Sequence, residues 1–352
     1  MKILPVIFLA LPLLWGAAKP PAHNAPAGPQ PAKTKSAPRA VKTPKVPKAE
    51  VKPPAGIVTM SERVYATLKG FRPLTLDLYL PQAKSFPRPG IVFVHGGEWN
   101  SGDSRHNGGF SDFPALLNAL AARGYVVASV NYRLSGEAPF PAALQDVKSA
   151  IRWLRSHKTD FNLDDTRIAV WGAGAGGQLA ALAGVSCGVA TLEPKGEAGA
   201  PSDCVQGVID WYGVSDFESM AADLGKPAPD KSDAGDYLGC EPSLCAIGVA
   251  RNASPLAYIQ PMSPPFLIQH GAQDMSVSSK QSQKLYDALR ARNVPAQLAI
   301  YPGVGRDFAR DGAAPDPATS QAALEKLAGF LEGLFPKKPP AGTPVKPNAL
   351  PY

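Results

Sequence analysis

Arg167-Ile-Ala-Val-Trp171, followed by Gly172-Ala-Gly-Ala-Gly-Gly177 and Gln178-Leu-Ala-Ala-Leu182, is the stretch that decides the fold. It is typical of a buried strand, a tight glycine turn and a helix that begins with small residues. Two kinds of chemistry use such a junction. One binds dinucleotide phosphates at the helix N-terminus, and the other presents a nucleophilic side chain on the sharp turn. The rest of the chain has to decide between them.

Strands and helices alternate on both sides of this stretch, which predicts one α/β domain over residues 57–335 with a mostly parallel central sheet and helices on both faces. Leu74–Leu80 alternates apolar and polar residues, as expected of a strand with one buried face. Further strands are predicted at 91–95, 125–131, 205–211, 265–270 and 297–301, and helices at 113–123, 142–157, 279–292 and 320–334. The irregular residues 216–255 are predicted to be an insertion near the carboxyl edge of the sheet.

The segments that flank this domain have a different composition. Residues 1–18 contain Lys2, an apolar run and then small residues, which predicts a cleaved signal peptide and a secreted or periplasmic protein without a transmembrane segment after cleavage. An uncleaved anchor is the alternative. Residues 19–56 and 336–352 are rich in Pro and Lys and nearly lack large apolar side chains, so both are predicted to be disordered.

Positive charge is concentrated in these flanking segments. Residues 19–56 hold eight Lys/Arg and one acidic residue, and residues 336–352 add three lysines. Subtracting +7 for the first segment, +3 for the second and +1 for Lys2 from the formal net charge of +7 leaves the folded part at about −4. The basic pI therefore does not indicate a nucleic-acid groove. Residues 19–56 are either a solvated tether or a contact to an anionic cell envelope.

The chain contains four cysteines, Cys187, Cys204, Cys240 and Cys245, and this number suits an oxidising compartment. Cys240 and Cys245 close a short loop and predict one disulfide, which leaves Cys187–Cys204 as the other, although the sequence allows three pairings. A zinc site is less favoured because no histidine lies close to these cysteines in the sequence.

The dinucleotide alternative has real support in the spacing. Gly172, Gly174 and Gly177 satisfy G-x-G-x-x-G, and Glu193 lies about 20 positions further on, where an acidic residue would bind a ribose. Against it, several strand–helix units precede this turn, and residues 188–193 make a poor second strand. A secreted protein would also meet little nicotinamide cofactor. We therefore expect no cofactor.

A second set of motifs resembles the α/β-hydrolase superfamily. His95-Gly-Gly-Glu-Trp99, which follows a predicted strand, is similar to the HGG loop of the hormone-sensitive-lipase-like and feruloyl- and acetyl-xylan-esterase-like branch. The similarity covers most of residues 60–335 in the family's order and includes residues 146–155, 170–180, 210–217, 253–258 and 264–271. The resemblance implies an α/β-hydrolase fold and a small-molecule ligand that is a carboxylic ester or an acetylated or feruloylated carbohydrate.

The resemblance also implies where the reaction machinery would lie. Gly96 and Gly97 of the loop, together with Ala175 after the nucleophile position, would donate backbone N–H groups to an oxyanion. Asp274, which follows a predicted strand, matches the acid of the family's catalytic triad. The two histidines that belong to strand-end motifs, His95 and His270, are expected to be structural.

Two of the three triad positions depart from the family. Residue 174 is glycine where the family has the nucleophilic serine, and Arg306, in Gly303-Val-Gly-Arg-Asp-Phe308, stands where the family has histidine. Arginine has no free lone pair and stays protonated, so it cannot take a proton from a nucleophile. Loss of a triad serine or histidine typically costs about six powers of ten in turnover. The chain is therefore predicted to be catalytically dead or severely impaired.

Three interpretations of these losses remain open. The chain is a natural pseudoenzyme that binds a ligand in the retained pocket, an altered copy of an active esterase, or an enzyme in which Asp274 or Glu98 activates water. Glycine at 174 is predicted to adopt a positive φ at little cost. Arg306 is predicted either to form a bidentate ion pair with Asp274 or to turn out into solvent.

Overall fold

The computed structural model describes residues 55–83, 86–195, 199–227, 229, 231–310 and 314–336. The predicted signal peptide, nearly all of the basic segment 19–56 and the tail after residue 336 lie outside the described residues, so these remain predictions. Within the described ranges, no helix is long and apolar enough to cross a membrane.

An eight-stranded sheet forms the centre of the domain. Its strands are β1 (Ile57–Ala66), β2 (Leu74–Pro81), β3 (Arg88–Val94), β4 (Val126–Val130), β5 (Leu163–Ala173), β6 (Gly207–Trp211), β7 (Phe266–Gly271) and β8 (Ala296–Tyr301). They are ordered β1-β2-β4-β3-β5-β6-β7-β8. Strand β2 is antiparallel to both of its neighbours, β1 and β4, and the remaining neighbours pair in parallel. The predicted, mostly parallel sheet is confirmed. The sequence did not predict β1, because its exposed centre around Glu62 and Arg63 breaks the apolar alternation.

Helices cover both faces of the sheet, as predicted. They are α1 (Phe113–Ala122), α2 (Ala142–Ser156), α3 (Lys158–Phe161), α4 (Ala175–Val185), α5 (Met220–Asp223), α6 (Asp233–Leu238), α7 (Val249–Asn252), α8 (Ser279–Ala291) and α9 (Pro317–Leu334). One apolar core joins the sheet to α2, α4 and α8 and includes Val92 and Val170. The other joins it to α1 and α9 and includes Phe93 and Trp171. Neighbouring residues of β3 and β5 thus enter opposite cores, as the two-residue repeat of a strand requires.

The helix α4 packs so closely on the sheet that small residues are needed at its start. All eleven of its residues are buried. A Cβ atom on Gly176 would lie 2.0 Å from the carbonyl oxygen of Val94, and one on Gly172 would lie 2.0 Å from the carbonyl oxygen of Gly176. The glycines that surround residue 174 are therefore explained by the contact between helix and strand.

Residues 216–255 leave the sheet after β6 and contain the short helices α5, α6 and α7. Both predicted disulfides are present. Cys240 and Cys245 are bonded within this insertion with their Cα atoms 5.1 Å apart, and Cys187 and Cys204 are bonded with their Cα atoms 5.0 Å apart.

The close approach of α4 gives a prediction about stability. We expect Gly176→Ala to lower the free energy of unfolding by about 1–3 kcal/mol or more, because the added methyl group meets main-chain atoms that cannot move independently. Gly329→Ala in α9 is the control, since a Cβ there meets no atom within 4 Å. It should raise the free energy of unfolding by about 0.5–1 kcal/mol. Urea unfolding followed by circular dichroism measures both, and equal shifts would contradict the packing argument.

Candidate functional site

The turn between β5 and α4 has the backbone of a nucleophile turn without its side chain. Gly174 has φ +56° and ψ −116°, which confirms the predicted positive φ. Its N–H donates to the carbonyl oxygen of Trp211 at 2.8 Å, and its own carbonyl accepts from Gln178 N at 3.0 Å. A residue with a Cβ would adopt this conformation at a cost of about 1–3 kcal/mol. Glycine keeps the turn without that cost.

The loop after β3 lies directly against this turn. A Cβ atom on Gly96 would be 2.9 Å from the carbonyl oxygen of Ala173, and Gly97 has φ +100°. Within the described part of the chain, the N–H groups of Gly96, Gly97 and Ala175 donate to no protein acceptor. These are the groups expected from the sequence to face an oxyanion. The first N–H groups of a helix such as α4 are also the end that attracts negative charge.

Arg306 extends across this turn from the segment after β8. Its Nη2 lies 2.7 Å from Oε1 of Glu98, and its Nη1 lies 3.7 Å from Oδ2 of Asp274. The side chain is 21% exposed. Arg306 thus forms the predicted ion pair with Asp274, but at 3.7 Å and not as a bidentate pair, and the alternative that it turns out into solvent is wrong. Glu98, which adopts φ +49° in the loop after β3, comes closer to the guanidinium than Asp274 does, so the main ion pair is with Glu98.

Arg306 also occupies the space that a serine side chain would need. A Cβ atom built on Gly174 would lie 2.5 Å from Nη2 and 3.3 Å from Cζ of Arg306. Real Cβ atoms essentially never come within 3.0 Å of another heavy atom in this way. The two departures from the family pattern are thus physically coupled, because the arginine holds its position only while residue 174 has no side chain.

The pKa of Arg306 reflects its surroundings. Burial disfavours the charged form, but the carboxylates of Glu98 and Asp274 outweigh burial and hold the pKa of Arg306 above its usual value. The guanidinium is also 5.6 Å from the ring centroid of Tyr212, within the range of a cation–π contact. Arg306 is therefore a permanent cation.

Asp274 lies where the sequence places the triad acid, just after β7. Its Oδ1 accepts the N–H groups of Ser276 and Val277 at 2.7 and 2.9 Å, while its buried Oδ2 has no hydrogen-bond partner. Burial opposes ionisation, but the contact with His270 and the charge of Arg306 outweigh it and lower the pKa of Asp274. The carboxylate is thus held by the main chain and has lost the partner that a histidine at 306 would supply.

The histidines near this edge of the sheet have structural roles, as expected. His270 is fully buried, with Nδ1 2.7 Å from the hydroxyl of Ser282 and Nε2 2.9 Å from the carbonyl oxygen of Val277. His95 stacks on Tyr132 with ring centroids 4.3 Å apart, and burial lowers the pKa of His95 to about 4. Neither histidine lines the cavity described next.

A cavity of about 380 Å³ opens over the turn. Its floor includes Glu98, Gly174, Ala175 and Arg306. Apolar side chains, most of them from the insertion, form much of its wall: Trp99, Val214, Phe217, Met220, Ala221, Leu224, Pro227, Pro229, Ala234, Pro242 and Val277. The volume and the apolar lining are those of a small-molecule site.

The residues of the dinucleotide pattern have other partners. Glu193 accepts a 2.7 Å bond from the buried ammonium of Lys148 and is also paired with Arg152, so it is committed to an ion network. Among the described residues, no group of three or more His, Cys, Asp or Glu is placed to hold a metal ion.

Sequence reasoning missed two residues of the site. Glu98 was considered only as a group that activates water, and its pairing with Arg306 was not foreseen because the two are far apart in sequence. Tyr212, which follows β6, was not considered at all. Its hydroxyl donates to Oδ1 of Asp307 at 2.9 Å and its ring lies beside Arg306. The sequence does contain a signal for Tyr212, since this residue lies within 210–217, one of the segments that resemble the family.

Comparisons with known proteins identify the family to which this fold belongs. The BD-FAE family model matches residues 76–289. Esterase LipC of Mycobacterium tuberculosis is 35% identical over 248 residues, which is 68% of this chain and 58% of LipC. The chain thus spans little more than half the length of that relative.

Two solved structures are similar over most of the chain. A truncated carbohydrate esterase from gut microbiota is 26% identical with a TM-score of 0.65, over 80% of this chain and 99% of that one. Esterase 2 of Thermogutta terrifontis with propionate bound is 26% identical with a TM-score of 0.63, over 81% and 97% of the two chains. The predicted α/β-hydrolase fold is confirmed.

The overlap between residues 174 and 306 gives a second prediction. We expect Gly174→Ala to destabilise the protein more when Arg306 is present than in the Arg306→Ala background. The expected coupling energy is at least about 1 kcal/mol. The backbone strain at φ +56° is common to both backgrounds, so the difference isolates the contact with the guanidinium.

Urea unfolding of the four proteins of this cycle measures the coupling. The matched control combines Gly329→Ala with Arg310→Ala, which share no contact because nothing lies within 4 Å of a Cβ on Gly329. The control pair should be additive within about 0.5 kcal/mol. Additivity of the Gly174 and Arg306 changes to the same degree would mean that Arg306 does not occupy the space beside residue 174.

Proposed function

The chain belongs to the BD-FAE family of α/β-hydrolases, and we propose that it is a non-hydrolytic member that binds an ester- or carbohydrate-type ligand in the family's pocket. One observation carries the proposal. The guanidinium of Arg306 lies where the nucleophile's side chain would be, 2.5 Å from a Cβ on Gly174. The site thus lacks a nucleophile and is occupied by a group that cannot act as a base.

The chemistry of ester cleavage supports this proposal. Attack on an ester needs a nucleophile, a base that takes its proton and donors for the oxyanion. Glycine offers no nucleophile, and no described histidine lines the cavity. Oxyanion donors and binding without the triad retain only about 10³–10⁴ of rate over water. The donors alone do not make an esterase.

Activation of water by a carboxylate is less well supported. Glu98 is paired with Arg306 at 2.7 Å, and the pKa of Asp274 lies below its usual value. The carboxylate of Glu98 is thus engaged by Arg306, and a carboxylate whose pKa is lowered, like that of Asp274, is a weak base at neutral pH. Neither group is therefore suited to take a proton from water.

The cavity and its hydrogen-bond donors support the proposal that the chain binds a ligand. The cavity of about 380 Å³ has apolar walls, and its floor includes Ala175, whose N–H donates to no protein acceptor among the described residues. LipC is named as an esterase, and one similar structure as a carbohydrate esterase. An ester or an acylated sugar fits these features, because its acyl part is apolar and its carbonyl and hydroxyl oxygens accept hydrogen bonds.

An esterase assay with p-nitrophenyl acetate tests the proposal. The wild-type chain should not exceed the turnover of its Asp274→Asn variant. The double variant Gly174→Ser/Arg306→His should gain turnover, because it removes the overlapping guanidinium and restores both missing groups. The control Gly329→Ser/Arg310→His carries the same substitutions where they do not touch the cavity, and it should gain nothing. Wild-type hydrolysis that disappears in Asp274→Asn would refute the non-hydrolytic function.

We propose further that the chain acts outside the cytoplasm, and that residues 19–56 either tether it or contact an anionic envelope. The two disulfides support the location, since such bonds persist in oxidising compartments. Cell fractionation should find the protein outside the cytoplasm and without residues 1–18. If residues 19–56 contact the envelope, deleting them should release the protein from the cell wall. If they are a solvated tether that makes no such contact, the deletion should leave the association of the protein with the cell wall unchanged.

A further inference from the structure

We propose that the ligand of this cavity is a monocarboxylate with an apolar body, and that Arg306 binds its carboxylate in place of Glu98. This inference rests on the proposed non-hydrolytic function. It names the ligand class for the same pocket and assigns Arg306 as the residue that determines specificity.

Arg306 has hydrogen-bonding capacity beyond its contact with Glu98. A guanidinium carries five N–H donors in a planar fork. Its shortest contact to a carboxylate joins Nη2 to Oε1 of Glu98 at 2.7 Å, and the buried Nη1, which faces Asp274, has no hydrogen-bond partner. Planar donors of this kind bind a carboxylate through two parallel hydrogen bonds when both partners are free to align. Nη2, at the floor of the cavity, is therefore the donor that an external carboxylate would take over from Glu98.

Glu98 now occupies the place of that carboxylate. Its Oε1 lies 2.7 Å from Nη2 of Arg306, and its side chain is 36% exposed. It belongs to the loop after β3, so its side chain can turn away without disturbing the sheet. Glu98 therefore shows where a carboxylate sits on Arg306 while leaving that place open to exchange.

Asp274 does not compete for the same donors. Its Oδ1 is used by the N–H groups of Ser276 and Val277, and its Oδ2 is 3.7 Å from Nη1 of Arg306, beyond hydrogen-bond distance. It is buried beneath the guanidinium and supplies a fixed countercharge. Once Glu98 turns away, one carboxylate from a ligand restores the original charge balance at Arg306.

Main-chain donors add to the attraction for a carboxylate. The N–H groups of Gly97 and Ala175 donate to no protein acceptor in the described chain, and Ala175 begins the eleven-residue helix α4. Helix N-termini and free N–H groups stabilise negative oxygen atoms. The guanidinium of Arg306 and the N–H of Ala175 lie at the floor of the cavity, which offers donors and no nucleophile, and Gly97 lies in the adjoining loop.

The side chains of the cavity wall determine which chemical groups the rest of the ligand can carry. Side chains such as Phe217, Met220 and Leu224 favour an apolar body. Three acidic residues of the insertion, Glu218, Asp233 and Glu241, and one lysine, Lys226, also line the cavity, so this part of the wall carries a net negative charge. It would repel a second carboxylate, so the ligand is expected to carry only one.

Isothermal titration with three matched probes tests this inference. The probes are 3-phenylpropionate, its primary amide and its methyl ester, which share a body and differ in the head group. Wild type should bind the carboxylate at least about tenfold more tightly than the amide, because a charge-assisted hydrogen bond is stronger than a neutral one. Phenylsuccinate, which adds a second carboxylate, should bind more weakly than 3-phenylpropionate.

Variants identify the residues responsible. Arg306→Gln should abolish the preference for the carboxylate over the amide. Glu98→Gln should strengthen carboxylate binding about three- to tenfold, since it removes the competing anion, and should leave amide binding unchanged. Arg310→Gln, a change in an exposed arginine paired with Asp316, should alter neither. If Arg306→Gln does not fold, the carboxylate affinity of Glu98→Gln still tests whether a ligand carboxylate replaces Glu98 on Arg306.

The outcomes separate the inference from the function on which it rests. Equal binding of the carboxylate and the amide by wild type, or no binding of any probe, would overturn the carboxylate inference. A Glu98→Gln variant with unchanged carboxylate affinity would do the same. Hydrolysis of the methyl ester by wild type, lost in Asp274→Asn, would instead overturn the non-hydrolytic function.

Discussion

The arrangement of the site depends on the steric overlap between any side chain at residue 174 and the guanidinium of Arg306. The guanidinium lies 2.5 Å from where any Cβ at 174 would be, so a nucleophilic side chain and this arginine cannot both hold their positions. The ion pair of Arg306 with Glu98, the exposure of that pair to the cavity and the loss of a base all follow from this arrangement. The glycine and the arginine are therefore coupled, since the arginine holds its position only while residue 174 has no Cβ.

The fold tolerates this change because the scaffold does not depend on the lost groups. The turn is held by the bond from Gly174 N–H to Trp211 and by the packing of Gly176 on Val94, and both are main-chain features. Asp274 is likewise fixed by two N–H groups. A strained position that a serine would occupy at a cost becomes comfortable for glycine. Glycine at 174 thus leaves the turn in place with a less strained backbone.

Much of the fold could be predicted from the sequence, and the reasons for the exceptions are physical. The strands around Val92 and Val170 are short apolar runs buried on both faces, which is a strong local signal. The edge strand β1 lacked that signal, because half-exposed residues need no regular alternation. The positions of Gly174 and Asp274 followed from motifs with fixed places at the ends of strands. The pairing of Arg306 with Glu98 could not be predicted in this way. A long side chain can pair with any of several charges, and only the folded loops bring these charges together.

The groups that remain at the site are those that recognise negative oxygen. An oxyanion and a bound carboxylate are served by the same N–H donors, the same helix end and the same direction of approach. Cleavage in addition needs a nucleophile and a base that shares its proton, and these two requirements meet at residues 174 and 306. Replacing a neutral histidine by a permanent cation there turns the position from one that accepts a proton into one that donates hydrogen bonds. The proposed affinity for an acyl group therefore needs no new structure, because only the groups at residues 174 and 306 depart from the family's triad.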